Sequence, residues 1–255
     1  MTMPRVVARE TLDHLPATAP EAMRSRRDLI RVHRAMGTRG LVLRGWQALW
    51  PSGAGRVPLK VLELGAGDGT LVLGVAQSLP SIWPRVHLTL LDRQQLVSAA
   101  TLSAYDALGW KVEVEQSDVL DWAAAYAPGT PRTLLPSWDL ISTTLFLHHF
   151  EGAALKAVLA AVAVSGDRFC ASEPRRAALA LVGSHLVGAL GANAVTREDA
   201  VLSVHAGFRD DELTALWPGA AGAWQLHEGP AGLFSHGFSA RRKGVVDADE
   251  LTHDL

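Results

Sequence analysis

Val61-Leu62-Glu63-Leu64-Gly65-Ala66-Gly67-Asp68-Gly69-Thr70 decides the architecture of this chain. Residues 60–64 read as a short apolar strand. Three glycines at alternate positions then make a turn whose backbone either runs close against a ligand or takes positive φ. Leu71, Val72, Val75, Ala76 and Leu79 follow at helical spacing, so the turn joins the carboxyl end of a strand to the amino end of a helix. An open α/β sheet takes up nucleotides at such a place. The dinucleotide fingerprint wants glycine or alanine three residues after its second glycine, so that helix and strand pack closely beside a pyrophosphate. Thr70 stands there instead. Glu63, two residues before the first glycine, would repel a phosphate but would accept hydrogen bonds from an ammonium group. A cationic, phosphate-free nucleoside fits the turn better than a diphosphate.

Toward the C-terminus, 86–91 is a continuous apolar strand ending in Asp92. That carboxylate lies roughly twenty residues past the turn, where an acidic side chain can take both ribose hydroxyls of a nucleoside. Capping the next helix is the other role open to it. The pattern predicts a helix over 95–108 stopped by Gly109, and a strand over 111–115 followed by Gln116-Ser117-Asp118-Val119-Leu120. Asp121 is then available to cap a helix beginning at Trp122. Residues 127–136 carry three prolines and read as a loop.

The second decisive block is Trp138-Asp139-Leu140-Ile141-Ser142-Thr143-Thr144-Leu145-Phe146-Leu147-His148-His149-Phe150. Its 139–143 portion is a fourth strand, and the remainder turns over the sheet's carboxyl edge. A helix over 151–164 and a fifth strand over 168–172, closed by Glu173-Pro174, follow. The Ala/Leu-rich stretch 175–190, broken by Gly183 and Gly188, reads as a cap helix beside an apolar pocket; Ser184 and His185 make it too polar to span a membrane. Residues 210–216 form a last helix, and 224–228 with 233–240 form a hairpin around Gly229-Pro230. A polar tail begins at Lys243.

Upstream, 21–36 is a helix with a basic face, stopped by Gly37 and Gly40; 41–50 is a second helix closed by Pro51, and 51–58 is a loop. These helices precede the glycine strand and stand outside the repeating units. Five strands alternating with helices and then an antiparallel pair predict an α/β, doubly wound, mostly parallel seven-stranded sheet with an antiparallel last strand. The divisions expected are an N-terminal helical part at 1–57, the sheet domain at 58–242 with a cap insertion at 175–216, and the tail at 243–255.

At 255 residues and a formal net charge of −2, the composition carries no basic excess of the kind that marks a nucleic-acid partner. The single cysteine, Cys170, excludes an internal disulfide framework and suits a reducing compartment. No apolar run approaches a bilayer span, and residues 1–10 lack the apolar core of a signal peptide. The expectation is a cytoplasmic protein without stable membrane insertion, with no metal site and with its oligomeric state open.

Taken in order, the motifs resemble those of class I S-adenosylmethionine (SAM) methyltransferases over 60–174. The resemblance implies that Gly65, Ala66, Gly67 and Gly69 cradle SAM and that Glu63 acts near its ammonium end. Asp92, with Arg93 beside it, would hold the ribose. Asp118 would accept from the adenine amino group with Val119 against the ring, and Thr144 stands where many members carry Asn. His148 and His149 match the Leu-His-His that follows the fourth strand close to the sulfonium. Imidazole titrates near neutrality, so both are candidates for a base; the alternative is that they shape the pocket. Glu173 and Arg175, at the end of the next strand, would orient a phenol or carboxylate or form a surface ion pair, and His185 joins the candidate substrate set. The N-terminal helices take the place of a lid, or of a cover for the sheet edge.

A second resemblance is carried by Arg27-Asp28-Leu29-Ile30-Arg31-Val32-His33-Arg34, with His33 in place of Asn, by the block 197–208 and by Gly232-Leu233-Phe234-Ser235-His236. These are similar to bacterial methyltransferases of polyketide-derived phenolic-lipid and quinone pathways. That likeness implies a small aromatic or phenolic acceptor methylated on oxygen in secondary metabolism. A SAM-binding regulatory or partner subunit without turnover is the alternative, motivated by Thr144. A nucleic-acid or protein methyltransferase fits less well, because Thr144-Leu145-Phe146 stands where an Asn-Pro-Pro-Tyr-type turn would bind an amine.

Overall fold

The computed structural model describes residues 3–50, 58–126, 135–219 and 222–244. Most of the expected loops at 51–58 and 127–136 and nearly all of the polar tail lie outside the described residues. Five parallel strands, β1 (Leu59–Leu64), β2 (Val86–Asp92), β3 (Lys111–Gln116), β4 (Leu140–Thr144) and β5 (Arg168–Pro174), are completed by β6 (Trp224–Ala231) and β7 (Ser235–Arg242). The sheet has seven strands in the order β3-β2-β1-β4-β5-β7-β6, with β7 antiparallel to both β5 and β6. The winding reverses between β1 and β4, which pair directly, and the crevice beyond their carboxyl ends is where such sheets bind ligands.

The central strands are buried along nearly their whole length because helices cover both faces, β4 and β5 at every residue. Leu62 and Leu64 of β1 face a core with Leu155, Val158 and Leu159 of α6 (Gly152–Ser165) and Trp122 of α5 (Val119–Ala125). Leu59 and Val61 face the opposite core with Val42 and Trp46 of α2 (Thr38–Leu49), Val72 and Val75 of α3 (Thr70–Ala76) and Tyr105 of α4 (Ala99–Asp106). α2 therefore covers the sheet. α1 (Pro20–Met36) packs instead against α8 (Ala194–Ala206), a helix that the sequence pattern left unassigned and that Asn193 caps by accepting from the Thr196 amide at 2.8 Å.

Local hydrogen bonds shift several boundaries from the expected ones. α4 starts at Ala99 because the Ser98 hydroxyl accepts from the Thr101 amide. α5 starts at Val119 because Asp118 accepts from the Leu120 amide at 2.8 Å, so Asp118 and not Asp121 is the cap. The helix expected from 175 begins at Ala178, as α7 (Ala178–Leu186), because β5 continues through Pro174 and Arg175 still bridges to Phe208. The hairpin does not turn at Gly229-Pro230. Those residues lie within β6 and Pro230 pairs with His236, which an edge strand tolerates; the turn falls at Gly232, with φ 78°.

Residues before α1 form an extended arm across α8. The Val6 amide donates to the His205 carbonyl at 3.1 Å. The Thr11 and Leu12 amides donate to the Asp199 carboxylate at 2.8 and 3.0 Å. The Arg5 guanidinium bonds the Ala206 carbonyl at 2.8 Å and lies 4.4 Å over the Phe208 ring. Among the described residues, no helix is long and apolar enough to cross a membrane.

Candidate active site

A cavity of about 1200 Å³ opens where the winding reverses, between the strand ends on one side and the arm, α1, α7 and α8 on the other. Its first half is built from the glycine turn. Gly65, with φ 70°, sits under the Phe146 ring, where an added Cβ would come within 2.3 Å of Phe146 Cδ2. Gly67, at φ 56°, has nothing within 4 Å where a Cβ would stand, so its backbone is bare toward the cavity. Its amide donates to Asp92 Oδ2 at 2.9 Å, and Asp92 Oδ1 accepts from Gln94 N at 2.8 Å. Asp92 thereby fixes the turn while its carboxylate keeps acceptor capacity for a ligand. Asp118 likewise has capacity beyond its cap.

Glu63, Gly65, Ala66, Gly67, Asp92 and Arg93 line this half, as do Asp118, Val119 and Thr144. Gly69 does not. It faces the core, where a Cβ would meet Leu90 at 2.9 Å, and its carbonyl accepts from the buried Tyr105 hydroxyl at 2.8 Å. Gly69 is thus part of the helix start and not of the cradle. Arg93 reaches back to the arm, bonding the Asp13 carbonyl. Glu63 is 2% exposed and accepts from the Ser142 hydroxyl. Burial pushes its carboxyl up to about 7, with the Ser142 bond pulling the other way.

The second half centres on the two histidines. Glu173 is fully buried and accepts from the Phe146 amide at 3.1 Å, the Leu147 amide at 2.9 Å, the His148 amide at 3.3 Å and His148 Nδ1 at 2.8 Å. It holds the turn after β4 from behind, with no face on the cavity, so its expected part in orienting an acceptor gives way to anchoring the histidines. His148 Nε2 meets Glu10 Oε1 of the arm at 3.3 Å, and Glu10 is itself bonded by the Ser203 hydroxyl. Burial opposes a charge on His148, but the bonds to Glu10 and Glu173 outweigh it and push the imidazole up to about 9. His149 goes the other way: burial and then the adjacent His148 cation hold it below its ordinary value. The rings are 4.2 Å apart, and His149 Nδ1 lies 3.4 Å from Asp13 Oδ2. These shifts favour the cation at His148 and the neutral imidazole at His149, and both rings line the cavity.

Two expected substrate residues are not brought here. Arg175 lies outside the cavity, its amide donating to the Phe234 carbonyl at 2.9 Å and its backbone bridging to Phe208. His185 is exposed and borders a separate shallow depression with Arg197 and Glu198. Glu10, Asp13 and Ser203, which the sequence did not single out, are present instead. Leu145 is a further one: it takes φ 53°, a conformation rare for an aliphatic side chain, at the cavity end of β4.

No family model and no curated protein sequence matches the chain. Solved structures match it in three dimensions. The plantazolicin methyltransferase BpumL in complex with SAH superposes with a TM-score of 0.58 at 12% identity, over 89% of this chain and 92% of that one. The plantazolicin methyltransferase BamL, in complex with a triazolic desmethylPZN analog and SAH, gives 0.57 at 17% identity over 89% and 93%. An O-methyltransferase family protein from Burkholderia thailandensis gives 0.55 at 15% identity over 91% of this chain and 67% of that one. The chain has the Rossmann-like methyltransferase fold. In this fold the glycine turn after β1 and the carboxylate ending β2 flank one ligand crevice, and here they flank the cavity just described.

Proposed function

We propose that the protein transfers the methyl group of SAM to a small aromatic or phenolic acceptor, on oxygen. The observation that carries the reading is one cavity with two unlike halves: a phosphate-averse nucleoside cradle, and an apolar chamber with a neutral imidazole on its wall. Three features of the cradle fit SAM. The bare backbone at Gly67 admits a close ligand. The carboxylates of Asp92 and Asp118 suit hydroxyl and amino donors. The buried carboxyl of Glu63 gains an ionised form once a cation arrives.

SAM supplies a methyl carbon already activated by positive sulfur. What the chain supplies is alignment and a place for a proton. Asp92 holds the ribose, Asp118 and Val119 hold the adenine, and Glu63 takes the ammonium group. Phe146, Ala180, Val187 and Phe234 give the acceptor side an apolar wall, and an imidazole nitrogen of His149 receives the acceptor proton.

Calorimetry with SAM tests the cofactor assignment. Asp92→Ala removes a charged acceptor for two hydroxyls and the bond that shapes Gly67. It is expected to weaken binding about 10- to 150-fold, given roughly 1.5–3 kcal/mol for hydrogen bonds to a charged group; wild-type affinity in that variant would contradict it. Product analysis with a panel of phenols tests turnover, and SAM binding without any S-adenosylhomocysteine would favour a binding subunit.

The Glu63 carboxyl gives a second, independent prediction. With its free-state value near 7, it is mostly protonated at about pH 6, and an incoming cation favours the ionised form. Binding should therefore release close to one proton at about pH 6 and almost none above about pH 8, and affinity should rise with pH up to about 7 by at most tenfold per unit. Calorimetry in buffers of different protonation enthalpy reads this directly. Glu63→Gln should abolish the proton release.

A further inference from the structure

We propose that Glu10, His148 and His149 form a binding site for one divalent transition-metal ion, open to the acceptor half of the cavity. The sequence spacing gave no hint of it, since Glu10 lies 138 residues before His148. The fold brings one carboxylate oxygen and one nitrogen of each imidazole within 4.8 Å of one another, with Glu10 and His149 partly buried and His148 buried. Glu10 Oε1 and His148 Nε2 are 3.3 Å apart, about the separation of two ligands that each lie about 2.0–2.1 Å from a shared ion. Two imidazoles and one carboxylate on one side of an ion leave its other positions open, the donor set that suits zinc, iron, cobalt or manganese.

The surroundings are those of a ligand set and not only of a buried ion pair. Each of the three groups has its own outer partner. Glu173 takes His148 Nδ1 at 2.8 Å, which leaves Nε2 toward Glu10. The Ser203 hydroxyl orients Glu10, and the Asp13 carboxylate stands 3.4 Å from His149 Nδ1. Outer bonds like those of Glu173 to His148 and of Ser203 to Glu10 fix the tautomer and the aim of metal-binding groups. A simple His–Glu pair needs one carboxylate. Here two carboxylates, Glu10 and Glu173, meet the two ring nitrogens of His148, and Asp13, which also lies 3.5 Å from Arg93, stands beside His149. All three ligand groups line the cavity, so the open positions face whatever occupies it.

The ion's role in turnover rests on the methyl-transfer reading; its binding does not. An acceptor hydroxyl that reaches the ion loses its proton more readily, and that proton leaves to solvent. An oxygen lone pair then forms the bond to the methyl carbon as the carbon–sulfur bond breaks with its pair remaining on sulfur. His149 in that state is a ligand and no longer the proton's destination.

The test uses the full chain stripped with a chelator and titrated with Co²⁺, followed by visible absorption, with Zn²⁺ stoichiometry from equilibrium dialysis. One ion per chain with a ligand-field spectrum is expected in the wild type, weakened by about tenfold or more in both Glu10→Gln and His149→Ala. Melting curves of both variants check that the fold is intact, since Glu10 is bonded to His148 and Ser203. Absence of a stoichiometric ion, or undiminished binding in both variants, overturns the site. Calorimetry with S-adenosylhomocysteine on the same samples separates the two ideas: nucleoside binding without an ion removes only the metal, and an ion without nucleoside binding removes only the methyl-transfer reading.

Discussion

Glu173→Ala is expected to lower the unfolding free energy by about 3–5 kcal/mol, the range for removing one partner of a buried charge pair. The cause is what the carboxylate holds. It accepts from three successive backbone amides, of Phe146, Leu147 and His148, and from the His148 ring. Alanine leaves those amides without their acceptor inside the protein and leaves the His148 cation facing Glu10 alone. At roughly 2–4 °C per kcal/mol for a chain of this size, the melting temperature should fall by about 10 °C. Glu173→Gln keeps an acceptor oxygen but loses the charge, and should cost less, about 1–3 kcal/mol. A carboxylate whose task was to orient an acceptor would behave otherwise, losing turnover while the melting curve stayed put. Melting of the alanine variant within about 2 °C of wild type would therefore restore Glu173 to the substrate and remove it from the turn.

The same residue shows where the sequence stops being legible. Glu173 ends a strand that composition alone identifies, and its position at the sheet's carboxyl edge is right. What it touches lies 25 to 27 residues earlier in the chain, a relation that only the pairing of β4 with β5 creates. The glycine turn was readable because its cause is local: strand, positive φ and helix start all fall within ten residues. The second parallel strand is readable because burial on both faces leaves it mostly apolar, with Leu88, Leu90 and Leu91 in β2; β4 and β5 are buried at every residue yet carry Ser142, Thr143, Thr144, Arg168, Ser172 and Glu173, so burial there is less plain in the sequence. Caps were less so. Asp118 and Asp121 are both suitable, and the choice of Asp118 rests on a single bond to the Leu120 amide. Glu10 was invisible for a stronger reason, since nothing in an arm without periodicity says which surface it will lie on. Arg175 follows a strand end and His185 sits on the cap helix, but pairing with Phe208 turns the Arg175 backbone away from the cavity and His185 lies on an exposed face of α7 beside a separate depression.

His149→Ala is expected to reduce turnover by about 10²- to 10⁴-fold, the range for loss of a positioned proton acceptor, while S-adenosylhomocysteine binds within about twofold of wild type. The neighbouring His148→Ala should look different. It leaves Glu10 and Glu173 buried without their shared partner, so its loss of activity comes with loss of stability. The contrast follows from burial, because His149 is 20% exposed at its side chain and His148 only 3%. Full turnover in His149→Ala would end the assignment of either role to this ring. A series of phenols then separates the two roles that remain. If His149 takes the proton, acceptors already ionised at the assay pH should recover most of the lost rate in the alanine variant, since they bring no proton to remove. If it holds an ion that positions the acceptor oxygen, ionised phenols should remain slow, because the oxygen would still have nothing to bind beside the methyl group.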